Sequence, residues 1–201
     1  MSSSEQPALV LASTSRYRRA LLERLGIPFT AVAPACDEEA LKDPRLPPQQ
    51  LAEMLAAAKA DSLSATHPHA VIIGSDQICA LDDEVLHKPG TPERAVAQLL
   101  RMQGRSHHLI TALSVIHGQR RWLHTTVTTL TMPPHSAATL ARYVAADQPL
   151  DCAGAYKLEQ RGIGLFERIA STDQSADESA IVGLPLLALS RILRDIGYQF
   201  P

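Results

Sequence analysis

An α/β fold with a mixed, twisted sheet flanked by helices is what this chain of 201 residues predicts. Three observations carry that expectation. Short apolar runs alternate with helically spaced segments almost end to end. The first such run feeds straight into a helix through a hydroxyl-rich turn. Two long strand-like segments flank Gly118-Gln119 as the arms of a hairpin.

The elements follow in order. Ala8-Leu9-Val10-Leu11-Ala12 is a short buried strand, and Ala20 to Leu25 has helical spacing that stops at Gly26. Phe29 to Val32 is strand-like, and a Pro-, Asp- and Glu-rich link runs from Pro34 to Pro48. Gln49 to Ala65 reads as a long Ala- and Leu-rich helix bounded by Pro47-Pro48 and His67-Pro68. Ala70 to Gly74 is a second buried strand that continues through Ile78–Leu81 to a hairpin turn at Asp82-Asp83. Thr91-Pro92 caps and opens a helix that ends before Gly104. His108–His117 and Arg121–Met132 form the long hairpin, stopped by Pro133-Pro134. Ser136 to Ala146 is helical, Gly162 to Ile169 a further strand, Ser171 to Ser179 a polar loop, and Pro185 to Ile196 the last helix. The whole reads as one domain over residues 1–201, with Ser106–Ala155 as a candidate second lobe and Met1–Pro7 as a frayed leader.

Chemistry concentrates in a few places. Ser13-Thr14-Ser15-Arg16-Tyr17-Arg18-Arg19 joins strand to helix, and its hydroxyl residues are good N-caps. Three arginines in a first helical turn sit at the positive end of the macrodipole, where acidic residues are preferred. Strand, hydroxyl turn and misplaced cations together point to an anion, most simply a phosphate, at the helix N-terminus. The plainer reading is an arginine-rich, solvated helix start.

Asp76, in Gly74-Ser75-Asp76-Gln77, lies near the end of an apolar strand, a common place for a general base or a metal ligand. Capping a turn explains it equally well. Lys88-Pro89 lies across the proposed hairpin from it, where a lysine would help hold phosphate. Asp37-Glu38-Glu39 is a solvated acidic triplet or a site for a hard cation such as Mg²⁺ or Mn²⁺. Lys59, among Ala56, Ala57, Ala58 and Ala60, is either exposed or brought close to a ligand by its small neighbours. Glu159, after the small-residue turn Ala153-Gly154-Ala155, can accept two hydrogen bonds from a purine edge or be an ordinary loop residue. Ile181 to Leu186 reads as structural: a strand end, a close-packing glycine and a helix-starting proline.

Several classes are excluded. Lysine and arginine number 19 against 21 acidic residues, so the chain offers no field for nucleic acid. Three scattered cysteines without a CxxC pair argue against a zinc knuckle or disulfide framework and fit a reducing compartment. The eight histidines show no metal-binding pairing, and neither a GxSxG elbow nor a Walker loop occurs. No run is long enough to span a membrane.

Taken in order, Leu11-Ala12-Ser13-Thr14-Ser15 with Arg18-Arg19, Ala33-Pro34 with Asp37-Glu38, Gly74-Ser75-Asp76-Gln77, Lys88-Pro89, Ala153-Gly154-Ala155 and Val182-Gly183-Leu184-Pro185-Leu186 resemble the Maf family of nucleoside triphosphate pyrophosphatases. The resemblance implies an elongated, two-lobed fold like that of inosine triphosphate pyrophosphatases, with a cleft between the lobes. It implies a cytoplasmic, divalent-metal-dependent hydrolase that splits a nucleoside triphosphate into monophosphate and pyrophosphate, often as a homodimer. By position, Asp76 would accept the proton of the attacking water. Ser13, Arg18, Lys59 and Lys88 would contact phosphates, and Glu38 with Asp76 would hold metal.

Tyr17, Gln77 and Glu159 look like the specificity residues of the 7-methyl-GTP branch rather than the dTTP/UTP branch, which carries Arg, Thr and Gln there. A methylated guanine is cationic and stacks favourably on an aromatic ring, while a carboxylate matches its N1–H and exocyclic amine. Tyr17 stands where that branch has Trp, Arg16 where the family usually has Pro, and Ala58 where an acidic residue commonly precedes the lysine. The Ser171–Ser179 loop is longer than usual. A dTTP/UTP enzyme, a non-catalytic nucleotide-binding regulator of cell division, and a binder of methylated RNA 5′ ends are the alternatives.

Overall fold

In the computed structural model, residues 6–172 and 177–200 are described, and the chain divides into two compact units. The first comprises residues up to Gln77, Thr111–Thr126 and Asp177 onwards; the second comprises Ile78–Ile110 and Val127–Ala176. Seven strands form one mixed sheet in the order β2-β1-β3-β5-β6-β7, with β4 paired to β3. The α/β expectation holds.

In the first unit, β1 (Leu9–Ala12) lies between β2 (Thr30–Val32) and β3 (Val71–Leu81), parallel to both. All four β1 residues are buried, the near-continuous apolar run expected of a parallel strand covered on both faces. Parallel neighbours require crossovers, supplied here by α1 (Arg16–Glu23), α2 (Glu38–Leu41) and α3 (Pro48–Asp61). Leu9, Leu11, Leu22, Ile73, Leu113, Leu184 and Leu189 pack into one core cluster, which includes residues of α7 (Leu186–Ile196).

Gly74 explains how α3 approaches β3. A Cβ there would stand 2.2 Å from the Ala56 carbonyl oxygen and 2.7 Å from the Ala60 nitrogen. The helix backbone therefore rests directly on the strand, and the alanines of α3 permit it. Pro7 is tied down, its carbonyl accepting the Tyr198 hydroxyl; residues 1–5, the rest of the expected leader, lie outside the described residues.

In the second unit, the end of β3 turns into β4 (Glu84–Leu86) with Cys79 opposite Leu86 and Leu81 opposite Glu84. Thr91 caps α4 (Pro92–Met102), which packs on α5 (Ala137–Asp147), and Ser136 caps the latter. The hairpin strands β5 (Arg105–His117) and β6 (Arg120–Met132) each begin slightly before their expected positions. Residues Thr128–Thr131 of β6 pair antiparallel with β7 (Arg168–Ser171).

Four expectations are corrected. Gly162–Ile169 is not one strand: Arg161–Leu165 is a 3₁₀ turn, because the Gly162 N–H closes back on the Lys157 carbonyl at 3.1 Å, and the strand starts only at Arg168. Ile181-Val182 ends a short helix, α6 (Glu178–Val182), instead of a strand, because Asp177 caps the Ser179 N–H at 3.0 Å. The link from Pro34 to Pro48 contains α2, started by Asp37, whose carboxylate accepts the Glu39 and Ala40 N–H groups at 3.1 and 3.2 Å. The long α3 also ends four residues early, at Asp61. Of the long loop, residues 173–176 lie outside the described residues.

An aromatic group in the second unit joins the buried His107 and Tyr156 to the half-buried Phe166, with ring centroids 4.8–5.6 Å apart. His107 Nε2 lies 2.8 Å from the Tyr156 hydroxyl, and its Nδ1 has no partner among the described residues. Burial, and then the neighbouring His108, lower its pKa to about 4. An unfolded histidine titrates near ~6.5, so the unfolded chain takes up the proton first as pH falls. The stability from neutral His107 is fully present above the unfolded value and is lost on the way down to the folded one. Urea unfolding checks this: the loss between neutral pH and pH ~4.5 should shrink by about 2–3 kcal/mol in His107→Phe.

Candidate active site

The site is built where α3 rests on β3. Asp76 follows Gly74 by two residues on β3 and is only 8% exposed; Lys59 on α3 is 4% exposed. Lys59 Nζ donates to Asp76 Oδ1 at 2.6 Å and lies 2.8 Å from Glu38 Oε2. One ammonium thus stands between two carboxylates. A buried lysine without a partner would cost several kcal/mol of desolvation; here both neighbours offset it. Glu38 opens α2, which Asp37 caps, so the acidic triplet divides its work: Asp37 starts the helix and Glu38 faces Lys59.

Arg18 on α1 completes the group. Ser15 caps α1 by accepting the Arg18 N–H at 3.4 Å, and no acidic residue occupies the first turn. The Arg18 Nε donates to the Gly183 carbonyl at 2.8 Å. Burial lowers the Arg18 pKa, while the charges of Asp76 and Glu38 oppose the shift. Arginine stays charged through such a shift. Its terminal nitrogens make no hydrogen bond to the chain among the described residues. A cation fixed by its Nε with its two amines unspent is suited to an anion's oxygens.

Ser13 is buried before α1, its Oγ accepting the Ser15 N–H at 3.1 Å, and among the described residues its hydroxyl proton has no acceptor. Tyr17 is half-buried; its hydroxyl accepts from Arg16 at 2.9 Å, and the Arg16 guanidinium carbon lies 4.9 Å from the ring centroid. A cation over this ring is therefore already part of the structure. Gln77 Nε2 donates to Thr111 Oγ1 at 2.9 Å and to the carbonyls of Ala180 and Ile181 at 3.1 and 2.9 Å.

Asp76, Lys59, Glu38, Arg18, Ser13, Tyr17 and Gln77 all belong to the first unit. Lys88 and Glu159 belong to the second, and both are exposed. Lys88 comes two residues after Leu86, where the β4 pairing ends. Glu159 sits in a turn braced at both flanks: the Lys157 Nζ donates to the Asp147 and Gln148 carbonyls, and the Arg161 N–H to the Asp147 carboxylate at 3.0 Å.

Gly183, which holds Arg18, was the part of this group least visible in the sequence. It ends α6 in the left-handed region, at φ 119°; its carbonyl accepts from Arg18 and lies 3.0 Å from the Ser75 Oγ, whose nearer acceptor is the Ala112 carbonyl at 2.8 Å. Glycine followed two residues later by proline is a helix C-cap signal; reading the segment as a strand end hid it. Burial and then Glu38 push the Cys36 thiol above its ordinary value.

Among the described residues no group of three or more His, Cys, Asp or Glu gathers to hold a metal. Asp76 and Glu38, two hard carboxylates meeting at one cation, nevertheless fit the mode in which Mg²⁺ takes one or two carboxylates and completes its shell with substrate phosphate and water. Among the described residues no helix is long and apolar enough to cross a membrane.

The chain is similar over nearly its whole length to proteins named 7-methyl-GTP pyrophosphatase. The one from Bdellovibrio bacteriovorus is 47% identical over 190 residues, covering 94% of this chain and 97% of the relative. That of Xanthomonas axonopodis pv. citri is 45% identical over 196 residues, covering 97% and 100%, and that of Cupriavidus metallidurans 43% over 200 residues, covering 98% of each. A solved dITP/XTP pyrophosphatase from Mycobacterium abscessus covers 62% of this chain and 74% of its own, at 14% identity and a TM-score of 0.39, too slight a likeness to bear on the site. The family described as Maf-like protein matches residues 8–196, so the buried lysine between two carboxylates and the arginine beside them belong to a member of the Maf family.

Proposed function

We propose that this protein hydrolyses a modified nucleoside triphosphate, 7-methyl-GTP, to the monophosphate and pyrophosphate. The observation that carries this reading is the cluster of Asp76, Lys59, Glu38 and Arg18: a buried carboxylate paired with a buried ammonium, with a second carboxylate and an arginine beside them. The names of the relatives at 43–47% identity support the substrate.

Asp76 accepts the proton of a water that attacks the α-phosphorus. A general base must lie within hydrogen-bond reach of that proton, and Lys59 fixes the carboxylate from one oxygen, Oδ1. Charge then builds on the equatorial oxygens and the departing pyrophosphate. The Arg18 amines, the Ser13 hydroxyl and the N-terminus of α1 stabilise that charge more than they stabilise the ground state. Asp76 and Glu38 would hold a divalent cation, which when bound neutralises phosphate charge and makes water more acidic. Lys88 is assigned a phosphate contact, and Tyr17 and Glu159 the base.

A panel of canonical and methylated triphosphates, read by pyrophosphate release, tests the reading. The wild-type chain should prefer 7-methyl-GTP. Tyr17→Arg should weaken that preference about 3–30-fold, the worth of a cation–π contact, and Glu159→Gln about tenfold through the lost charge-assisted pair. Selectivity unchanged in both would remove them from the base site. The same release assay on Lys88→Ala tests its phosphate contact, with a lower rate on every triphosphate expected.

A further inference from the structure

We infer that Lys157, Tyr143 and Asp147 are positioning residues that hold the turn bearing Glu159, so that its carboxylate meets the base on a backbone already ordered. The inference rests on the reading of Glu159 as a base contact and deepens it.

Glu159 is exposed and spends neither carboxylate oxygen on a hydrogen bond or ion pair among the described residues. Its turn, by contrast, is tied down on either side. The Lys157 N–H donates to the Tyr143 hydroxyl at 2.9 Å, and the Arg161 N–H to Asp147 Oδ2 at 3.0 Å. Tyr143 and Asp147 are four residues apart on α5 and so share a face, and the two N–H groups they receive are likewise four residues apart. The turn is thus laid along the last turn of the helix. The Lys157 carbonyl closes it from within, accepting the N–H groups of Gln160 and Gly162, each at 3.1 Å. Glycine permits that approach, since a Cβ at Gly162 would stand 2.4 Å from the same oxygen.

The charges here are not those that a helix alone would choose. Asp147 is a buried acid at the end of α5, the negative end of the macrodipole, and no basic residue occupies that last turn. The cation comes from outside. The buried Lys157 ammonium donates to the carbonyls of Asp147 and Gln148 at 3.0 and 3.2 Å, two of those that a helix end leaves without partners. Asp147 in turn takes the Arg161 guanidinium on Oδ1 at 2.6 Å. Both ions therefore bind the turn to the helix, and Glu159 lies between their anchor points. A carboxylate carried on such a turn has its backbone ordered at folding, which lowers the cost of pairing with a ligand. The phosphate contacts are assigned to other segments, so loosening this turn should weaken recognition of the base and spare the attack on phosphorus.

The test is pyrophosphate release from 7-methyl-GTP and from UTP, read as the ratio of their kcat/KM values, in which any loss of folded protein cancels. Lys157→Met keeps the buried stem and removes the ammonium. Tyr143→Phe keeps the ring and removes the hydroxyl, a milder change for folding. Each should lower the ratio about 3–10-fold, the cost of immobilising a side chain at binding, mainly through a higher KM for 7-methyl-GTP. In a Glu159→Ala background neither change should lower the ratio further. A ratio unchanged by both variants, or lowered equally with and without Glu159, would overturn the inference while leaving Glu159 at the base. A ratio unaffected by Glu159→Ala alone would instead remove Glu159 from the base, and the inference with it.

Discussion

Asp76→Asn is expected to abolish pyrophosphate release, by about 10³-fold or more, while the chain remains folded. Positioned general bases contribute about 10²–10⁴-fold, and the amide that replaces Asp76 keeps its shape without its basicity. Folding should survive because Lys59 retains Glu38 at 2.8 Å as a counter-ion. The buried ammonium is then paired still, and the loss should stay below the full cost of about 3–5 kcal/mol for breaking a buried pair. Nucleotide binding, followed by equilibrium titration, should persist, since Arg18 and Ser13 are untouched. Strong turnover by this variant would take the role of base away from Asp76.

Lys59→Met should produce the larger change in stability. It leaves two carboxylates facing one another with the ammonium between them gone, and removing one member of a buried ionic group costs about 3–5 kcal/mol. Urea unfolding at neutral pH measures it. The same vacancy in charge gives the variant a use for a divalent cation. Mn²⁺ or Mg²⁺ should raise its Tm, by mass action on the folded state, more than it raises that of the wild-type chain, whose carboxylates already share Lys59. If the variant's Tm does not respond to either ion, Asp76 and Glu38 are not metal donors.

Much of this architecture is legible in local sequence. The buried β1 run, the Thr91-Pro92 helix start, the Gly118-Gln119 hairpin and the stop at Pro133-Pro134 are set by burial, caps and turns that neighbouring residues specify. The parts that differ are decided by particular hydrogen bonds. Gly162 turns because its N–H reaches back to the Lys157 carbonyl, which periodicity does not register. The start of α6 depends on Asp177, whose carboxylate also accepts the Leu187 N–H at 2.8 Å and so joins two helices.

The site divides in the same way. Asp76, Lys59, Glu38 and Arg18 stand out as residue types in unusual settings, a carboxylate on an apolar strand and a lysine among alanines. That Lys59 would lie between the two carboxylates follows from the contact of α3 with Gly74, which no spacing within α3 discloses. The work of Gly183 is done by a backbone carbonyl. It leaves no side chain to read.

The account rests on water attacking the innermost phosphorus beside Asp76. Hydrolysis of 7-methyl-GTP in water enriched in heavy oxygen, with products weighed by mass spectrometry, tests that most directly. The label should appear in the methylguanosine monophosphate and be absent from pyrophosphate. Label in pyrophosphate, or release of inorganic phosphate in its place, would contradict it.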